Sequence, residues 1–219
     1  MQQRHTFDIA LKELKLKLLH MGGDIQEALR QSIDTLRHLD AAKARKIVEN
    51  DRLINRQENE IEDLCIRLIA TQQPVATDLR KIVAGMRIAA DLERMGDLAV
   101  DIAKSAIRLE GQTLVKPLLD IPKMAAIIDQ MISDALNAYV ENNMDLAQKL
   151  AKADDEVDHL YRSIVEQLFT VGAEEPQAAV SQAMTLAFVG RYLERVGDHA
   201  TNIGEGVIYI ISGERSDLN

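Results

Sequence analysis

The sequence predicts an all-α fold of six helices, arranged as two tandem, pseudo-symmetric three-helix bundles. Three observations carry this. Apolar residues recur at three- and four-residue spacing along nearly all of the 219-residue chain, and no run alternates with period two. The four prolines fall where helices should stop or start. A motif of the first half, Leu92-Glu93-Arg94-Met95-Gly96-Asp97, returns 101 residues later as Leu193-Glu194-Arg195-Val196-Gly197-Asp198, which marks a duplicated unit.

The elements follow in order. A first helix over 3–38 is closed by Asp40. A second over 41–71 ends at Thr71-Gln72-Gln73, because Pro74 has no N–H to donate and its ring clashes with the preceding turn. A third over 75–109 stops before Gly111, and a linker containing Pro117 runs to Pro122. The fourth, 121–141, ends at Asn142-Asn143; the fifth, 145–171, ends at Gly172; the sixth, 176–212, opens at Pro176. The β-branched cluster at 207–211 continues the phase of a helical stripe and is not a strand. The halves divide as 1–111 and 112–219.

The repeat extends well beyond the motif. Ile88, Leu92, Met95, Ala99, Ile102 and Ala106 match Val189, Leu193, Val196, Ala200, Ile203 and Val207, one apolar stripe per helix. In the preceding helices the offset is 103: Asp51, Ile54, Ile61 and Cys65 match Asp154, Val157, Ile164 and Leu168, and Met21-Gly22-Gly23 finds Met124-Ala125-Ala126. A length difference in the loop before the third helix accounts for the change. Gly22-Gly23 is expected to weaken or kink the first helix. Gly96 and Gly197 lie mid-helix, where glycine costs roughly 1 kcal/mol against alanine; they serve either close helix packing or room for an ion or partner.

Composition excludes several classes of function. Lys+Arg 26 against Asp+Glu 35 gives a net charge of −9, which argues against a nucleic-acid binder. Aromatics are 3% with no Trp, so a base-stacking platform is absent. Residues 1–110 hold 18 basic and 18 acidic side chains, and residues 111–219 hold 8 and 17, so the second half carries the whole net charge. The single cysteine, Cys65, excludes an internal disulfide and a Cys-x-x-Cys metal site. The longest uncharged stretch, 176–190, is 15 residues, short of the roughly 18 apolar residues of a membrane span. With no apolar signal core at its start, the chain reads as cytoplasmic, without membrane insertion.

The repeated acids are the candidate site. Glu93, Asp97 and Asp101 are spaced i, i+4, i+8 and form one row, which by helical angle lies opposite the apolar stripe. The second copy is Glu194, Asp198 and Asn202. Asp51/Asn55 and Asp154/Asp158 have the same i, i+4 spacing at the margin of the second helix of each half. If those helices pack antiparallel, each half gathers four carboxylates and one amide. Such oxygen-rich groups attract hard cations, Mg²⁺, Mn²⁺, Ca²⁺ or oxidised iron. The alternative is a solvated acidic face, neutralised in place by Arg94 and Arg195 or used, with those arginines, as a partner contact.

An enzyme reading finds little. A di-iron carboxylate site needs Glu-x-x-His on two helices, and Glu156-Val157-Asp158-His159 occurs once, off the apolar stripe. His199 follows Asp198 and could add a nitrogen ligand, but its equivalent is Leu98. Neither a nucleotide-binding loop nor a nucleophile elbow is present.

Leu-Glu-Arg-Met-Gly-Asp-Leu-Ala-Val-Asp-Ile-Ala at 92–103 and Leu-Glu-Arg-Val-Gly-Asp-His-Ala-Thr-Asn-Ile-Gly at 193–204 resemble the signature of the PhoU family, as do Arg4-His5-Thr6-Phe7-Asp8 and Met21-Gly22. The resemblance covers essentially the whole chain. It implies two bundles related by a pseudo-twofold and a repeated (Glu/Asp)-x-x-x-Asp pattern that holds metal ions, with iron, manganese, magnesium or zinc as candidates. That pattern falls on Glu93/Asp97, Glu194/Asp198 and Asp154/Asp158, while Asn55 replaces a carboxylate in the remaining copy. The resemblance also implies a non-enzymatic regulator that restrains phosphate uptake and represses the phosphate-starvation response. Its partners would be the ATPase subunit of the phosphate ABC transporter and a sensor histidine kinase, and its usual state a homodimer.

Overall fold

A computed structural model describes residues 2–114, 117–174, 177–214 and 216–218. Among them all regular structure is helical: six stretches, the second interrupted, giving α1 (Gln2–His38), α2 (Ala41–Asn50), α3 (Arg52–Gln72), α4 (Ala76–Arg108), α5 (Asp120–Glu141), α6 (Met144–Glu174) and α7 (Gln177–Ser212). The boundaries have local causes. Asp40 caps α2, its carboxylate accepting the Lys43 N–H at 3.0 Å. Asn142 closes α5 in the left-handed region (φ 53°), and Asn143 opens α6 by accepting the Leu146 N–H at 3.0 Å. Pro122 sits in the first turn of α5, where no donor is needed. The start signal read from Pro176 lies outside the described residues.

Two expectations are corrected. The helix expected over 41–71 is divided at Asp51, whose carbonyl accepts the Ile54 N–H at 3.0 Å and the Asn55 N–H only at 3.4 Å. Glu49-Asn50-Asp51 places two residues that compete for backbone hydrogen bonds in succession. In α6 the equivalent Asp154 follows Ala151-Lys152-Ala153, and that helix is unbroken. α1 runs through Gly22-Gly23 without interruption; a methyl on Gly22 would collide with Leu136 of α5, so the glycine serves close approach. Gly172 does not end α6, which runs on to Glu174.

The halves share one continuous core, running from Leu14 and Leu18 on α1 through Leu92 and Met95 on α4 to Leu193 and Val196 on α7. α4 and α7 pack on each other across the middle, with α1 against α4 and α5, and α6 against α7. Polar contacts between α1 and α5 display the pseudo-twofold. Gln26 Nε2 donates to Ser133 Oγ at 2.9 Å, and Arg30 Nη1 donates to Asp129 Oδ1 at 3.2 Å. A shift of 103 carries residue 26 to 129 and 30 to 133, so each contact is the image of the other. No described helix is long and apolar enough to cross a membrane.

Candidate functional site: two carboxylate clusters

The antiparallel packing of α3 on α4 and of α6 on α7 brings the repeated acids together once per half. In the first half the group comprises Asp51 at the α2–α3 break, Asn55 and Glu58 on α3, and Glu93, Asp97 and Asp101 on α4. Burial raises the pKa of Asp51, and Asp97 and Asp101 raise it further. Glu93 is raised in the same order of causes, by burial and then by Asp97, Glu58 and Asp51. Two cations sit in this group: Arg94 Nη1 lies 2.9 Å from Asp97 and 3.4 Å from Glu93, and Lys104 Nζ lies 2.9 Å from Asp101. The buried Asn55 Oδ1 accepts no hydrogen bond.

The second half gathers Asp154 and Asp158 from α6 with Glu194 and Asp198 from α7. Asp154 is only 8% exposed, and burial, then Asp198, Asp158 and Glu194, push its carboxyl up to about 7. Glu194 and Asp198 are also raised, first by burial. The internal cation here is Arg191, which pairs with Glu194 Oε1. Glu194 Oε2 is buried without a partner, a situation that costs free energy unless something supplies positive charge. A Cβ on Gly197 would stand 3.2 Å from Asp154 Oδ1, so bare backbone leaves that carboxylate its place. On Gly96 a Cβ would meet Ile25 at 3.1 Å and Ile54 at 3.2 Å, an apolar close-packing contact.

The structure therefore unites most of the expected residues and corrects the rest. The acidic row, opposite the apolar stripe of α4 by helical angle, is not a solvated face: Glu93, Asp97 and Asp101 are half-buried and Glu194 is buried. α4 is contacted by α1, α2, α3 and α7, so the side away from the stripe is partly covered as well. Asn202 leaves the second cluster and donates from Nδ2 to Asp91 Oδ1 at 3.3 Å across the α4–α7 seam. His199 turns the same way, with Nδ1 2.9 Å from Asp91 Oδ1. Arg195 is exposed and reaches Asp198 only through the longer-range field. Two members were not read from sequence, Glu58 and Arg191. Their equivalents are Tyr161 and Ala90, so the repeat hid them; the i, i+4, i+7 spacing of Asp51, Asn55 and Glu58 was the available signal.

The chemistry of both groups is that of hard oxygen donors. Among the described residues no three His, Cys, Asp or Glu side chains stand as a closed ligand set, so a cation would draw the carboxylates inward. The residues nonetheless fit one: mutually repelling carboxylates with raised pKa values, and two buried oxygens, Asn55 Oδ1 and Glu194 Oε2, lacking donors. Soft coordination has no support, since Cys65 is buried with its thiol pushed up to about 12. Glu156 and His159 are both exposed, and Glu156 lies 4.0 Å from Lys123.

Comparison with known proteins converges on one family. The PhoU domain model matches residues 18–106 and again 121–207. The phosphate-specific transport system accessory protein PhoU homolog of Clostridium acetobutylicum is 42% identical over 217 residues, covering 99% of each chain. The crystal structure of PhoU from Pseudomonas aeruginosa superposes with a TM-score of 0.89 at 34% identity, over 95% of this chain and 100% of that one. The phosphate transport system regulatory protein PhoU from Streptococcus pneumoniae gives 0.89 at 28% identity, over 96% and 99%. With the domain matched twice, once on each helical unit, the chain belongs to the PhoU family.

Proposed function

We propose that this chain is an accessory protein of phosphate transport that acts as a regulatory adaptor. It restrains uptake and represses the phosphate-starvation response by docking on the ATPase subunit of the phosphate ABC transporter and on a sensor histidine kinase. It works in the cytoplasm as a homodimer and has no catalysis of its own. The observation that carries this reading is a doubled module whose copies share a backbone but not a surface. One half is electrically neutral and the other holds the whole charge of −9, so two partners can tell them apart. The accessory role named for the Clostridium relative, similar along its full length, supports it.

The two clusters are proposed to hold cations such as Mn²⁺, Mg²⁺ or iron. A bound cation supplies positive charge that offsets carboxylate repulsion; the chain supplies Glu93, Asp97 and Asp51 in one half, and Asp154, Glu194 and Asp198 in the other. A helical metal-binding scaffold unrelated to phosphate is the second reading, favoured by the two unpartnered buried oxygens. Deleting the gene and measuring starvation-gene transcripts in high phosphate separates the readings. Derepression is expected; transcripts that stay fully repressed would overturn the adaptor.

A further inference from the structure

We infer that the cavity between α1, the α2–α3 break and α4 binds an aliphatic diamine of the polyamine class. One ammonium would sit at each acidic edge, with the methylenes between them. The cavity has a volume of about 240 Å³, and Ala28, Ile47, Leu53, Ile54 and Val100 supply an apolar wall. Leu53 is 56% exposed. Three carboxylates line the cavity and no lysine or arginine does: Asp24 and Glu27 come from α1, Asp51 from the helix break. The α1 acids are held in place. Glu27 accepts from Gln31 at 2.6 Å and Arg30 at 3.0 Å, and Asp24 accepts from Gln57 at 2.7 Å with His20 3.2 Å away. Arg30 divides its charge, since it also donates to Asp129 of α5 at 3.2 Å. Asp51 makes no cap bond to α3, and Lys104, paired with Asp101, acts on it from a distance.

Duplication supplies the contrast. Ala28 stands where the second half has Met131, a buried side chain whose Cε reaches to 3.8 Å from the place of a Gly197 Cβ. Leu53 and Val100 stand where it has Glu156 and Thr201, so the wall is more apolar in the first half. On the rim, Asp24, Glu27 and Gln31 stand where it has Ile127, Gln130 and Asp134, two carboxylates against one. The first copy is thus emptier and more apolar inside, and more acidic at its edge. A hard metal ion takes oxygen ligands and gains nothing from an apolar wall. A neutral apolar ligand would cover carboxylates without pairing them. A methylene chain with an ammonium at each end meets both demands: its alkyl part covers the wall and its charges meet Asp51 on one element and Asp24 and Glu27 on the other.

The test is isothermal titration calorimetry of the whole, metal-free protein with hexamethylenediamine, and with hexylamine as the single-charge control. The diamine should bind about fivefold more tightly than the monoamine, as a second ion pair allows. Ala28→Met adds no charge and installs the residue the other copy has; it should weaken diamine binding about tenfold or more by filling the cavity, while circular dichroism reports the fold. Asp51→Asn leaves the cavity open and should bring the diamine down to the level of hexylamine. Asp134→Asn, on the corresponding rim of the second half, should change diamine binding less than about twofold. The inference is overturned if neither amine binds, or if hexylamine binds the parent as tightly as the diamine. It is also overturned if folded Ala28→Met binds like the parent, because the net negative charge alone would then attract the amine. Should Ala28→Met fail to fold, Asp51→Asn decides, and an undiminished preference for the diamine overturns the inference. With metal absent throughout, the outcome is separate from Mn²⁺ uptake and from the starvation-gene transcripts, so either reading can fail while the other stands.

Discussion

The two carboxylate clusters occupy the same helical phase on duplicated backbone, yet they solve the repulsion of gathered acids differently. In the first, Arg94 and Lys104 pair with Glu93, Asp97 and Asp101 from within the same helix. In the second the counterparts help little: Glu205 stands where Lys104 would be, and Arg195 turns to solvent and acts on Asp198 only from a distance. Arg191 covers one oxygen of Glu194 and leaves the other bare, and Asp154 keeps its proton up to about 7. Duplication preserved the geometry while surface drift redistributed the counterions. Under the proposed cation-binding role, the second cluster is expected to be the stronger attractor for an added cation.

The largest expected effect tests this electrostatic cost. A carboxyl whose pKa is higher in the folded chain than in the unfolded one holds its proton more tightly when folded. Its penalty is absent below the unfolded value and grows as pH rises through the window from about 4 to about 7. The metal-free protein should thus lose stability across that window, and Asp154→Asn should stabilise it at pH 8 by roughly 1–3 kcal/mol. In a chain of this size each kcal/mol is worth about 2–4 °C in Tm, readable by calorimetry. A Tm for Asp154→Asn equal to or below the parent's at pH 8 would contradict the comparison.

A smaller effect sharpens it from the other side. Asn55→Asp restores the missing acid of the first copy beside Asp51 and Glu93. It should lower metal-free stability at pH 8 by about 1 kcal/mol, the cost of another partly buried carboxylate, and raise Mn²⁺ affinity at that half. Smallest is the contrast between the arginines. Arg94→Ala removes the ion pairs to Asp97 and Glu93 and should lower the urea midpoint slightly, and by more than Arg195→Ala does. Equal losses in urea unfolding would mean that the two arginines are equivalent after all.

Much of this was legible from residue order. The apolar period and the prolines placed the helices, because Pro74 and Asn142-Asn143 act through local sterics and hydrogen bonds that need no tertiary context. The i, i+4 pairs were legible because helical spacing alone puts Asp154 beside Asp158 and Glu194 beside Asp198. The burial of the row was not, since it depends on how many neighbours surround α4. Nor was the destination of Asn202, which is decided by Asp91 across a seam more than a hundred residues away in sequence. Glu58 and Arg191 escaped because they break the repeat that revealed the others.

The most direct test is equilibrium dialysis of metal-free protein against Mn²⁺, with Glu194→Ala and Glu93→Ala beside the parent. Two saturable classes are expected, the tighter lost in Glu194→Ala and the weaker in Glu93→Ala. No saturable uptake, or uptake that neither substitution alters, would contradict the clusters as cation sites.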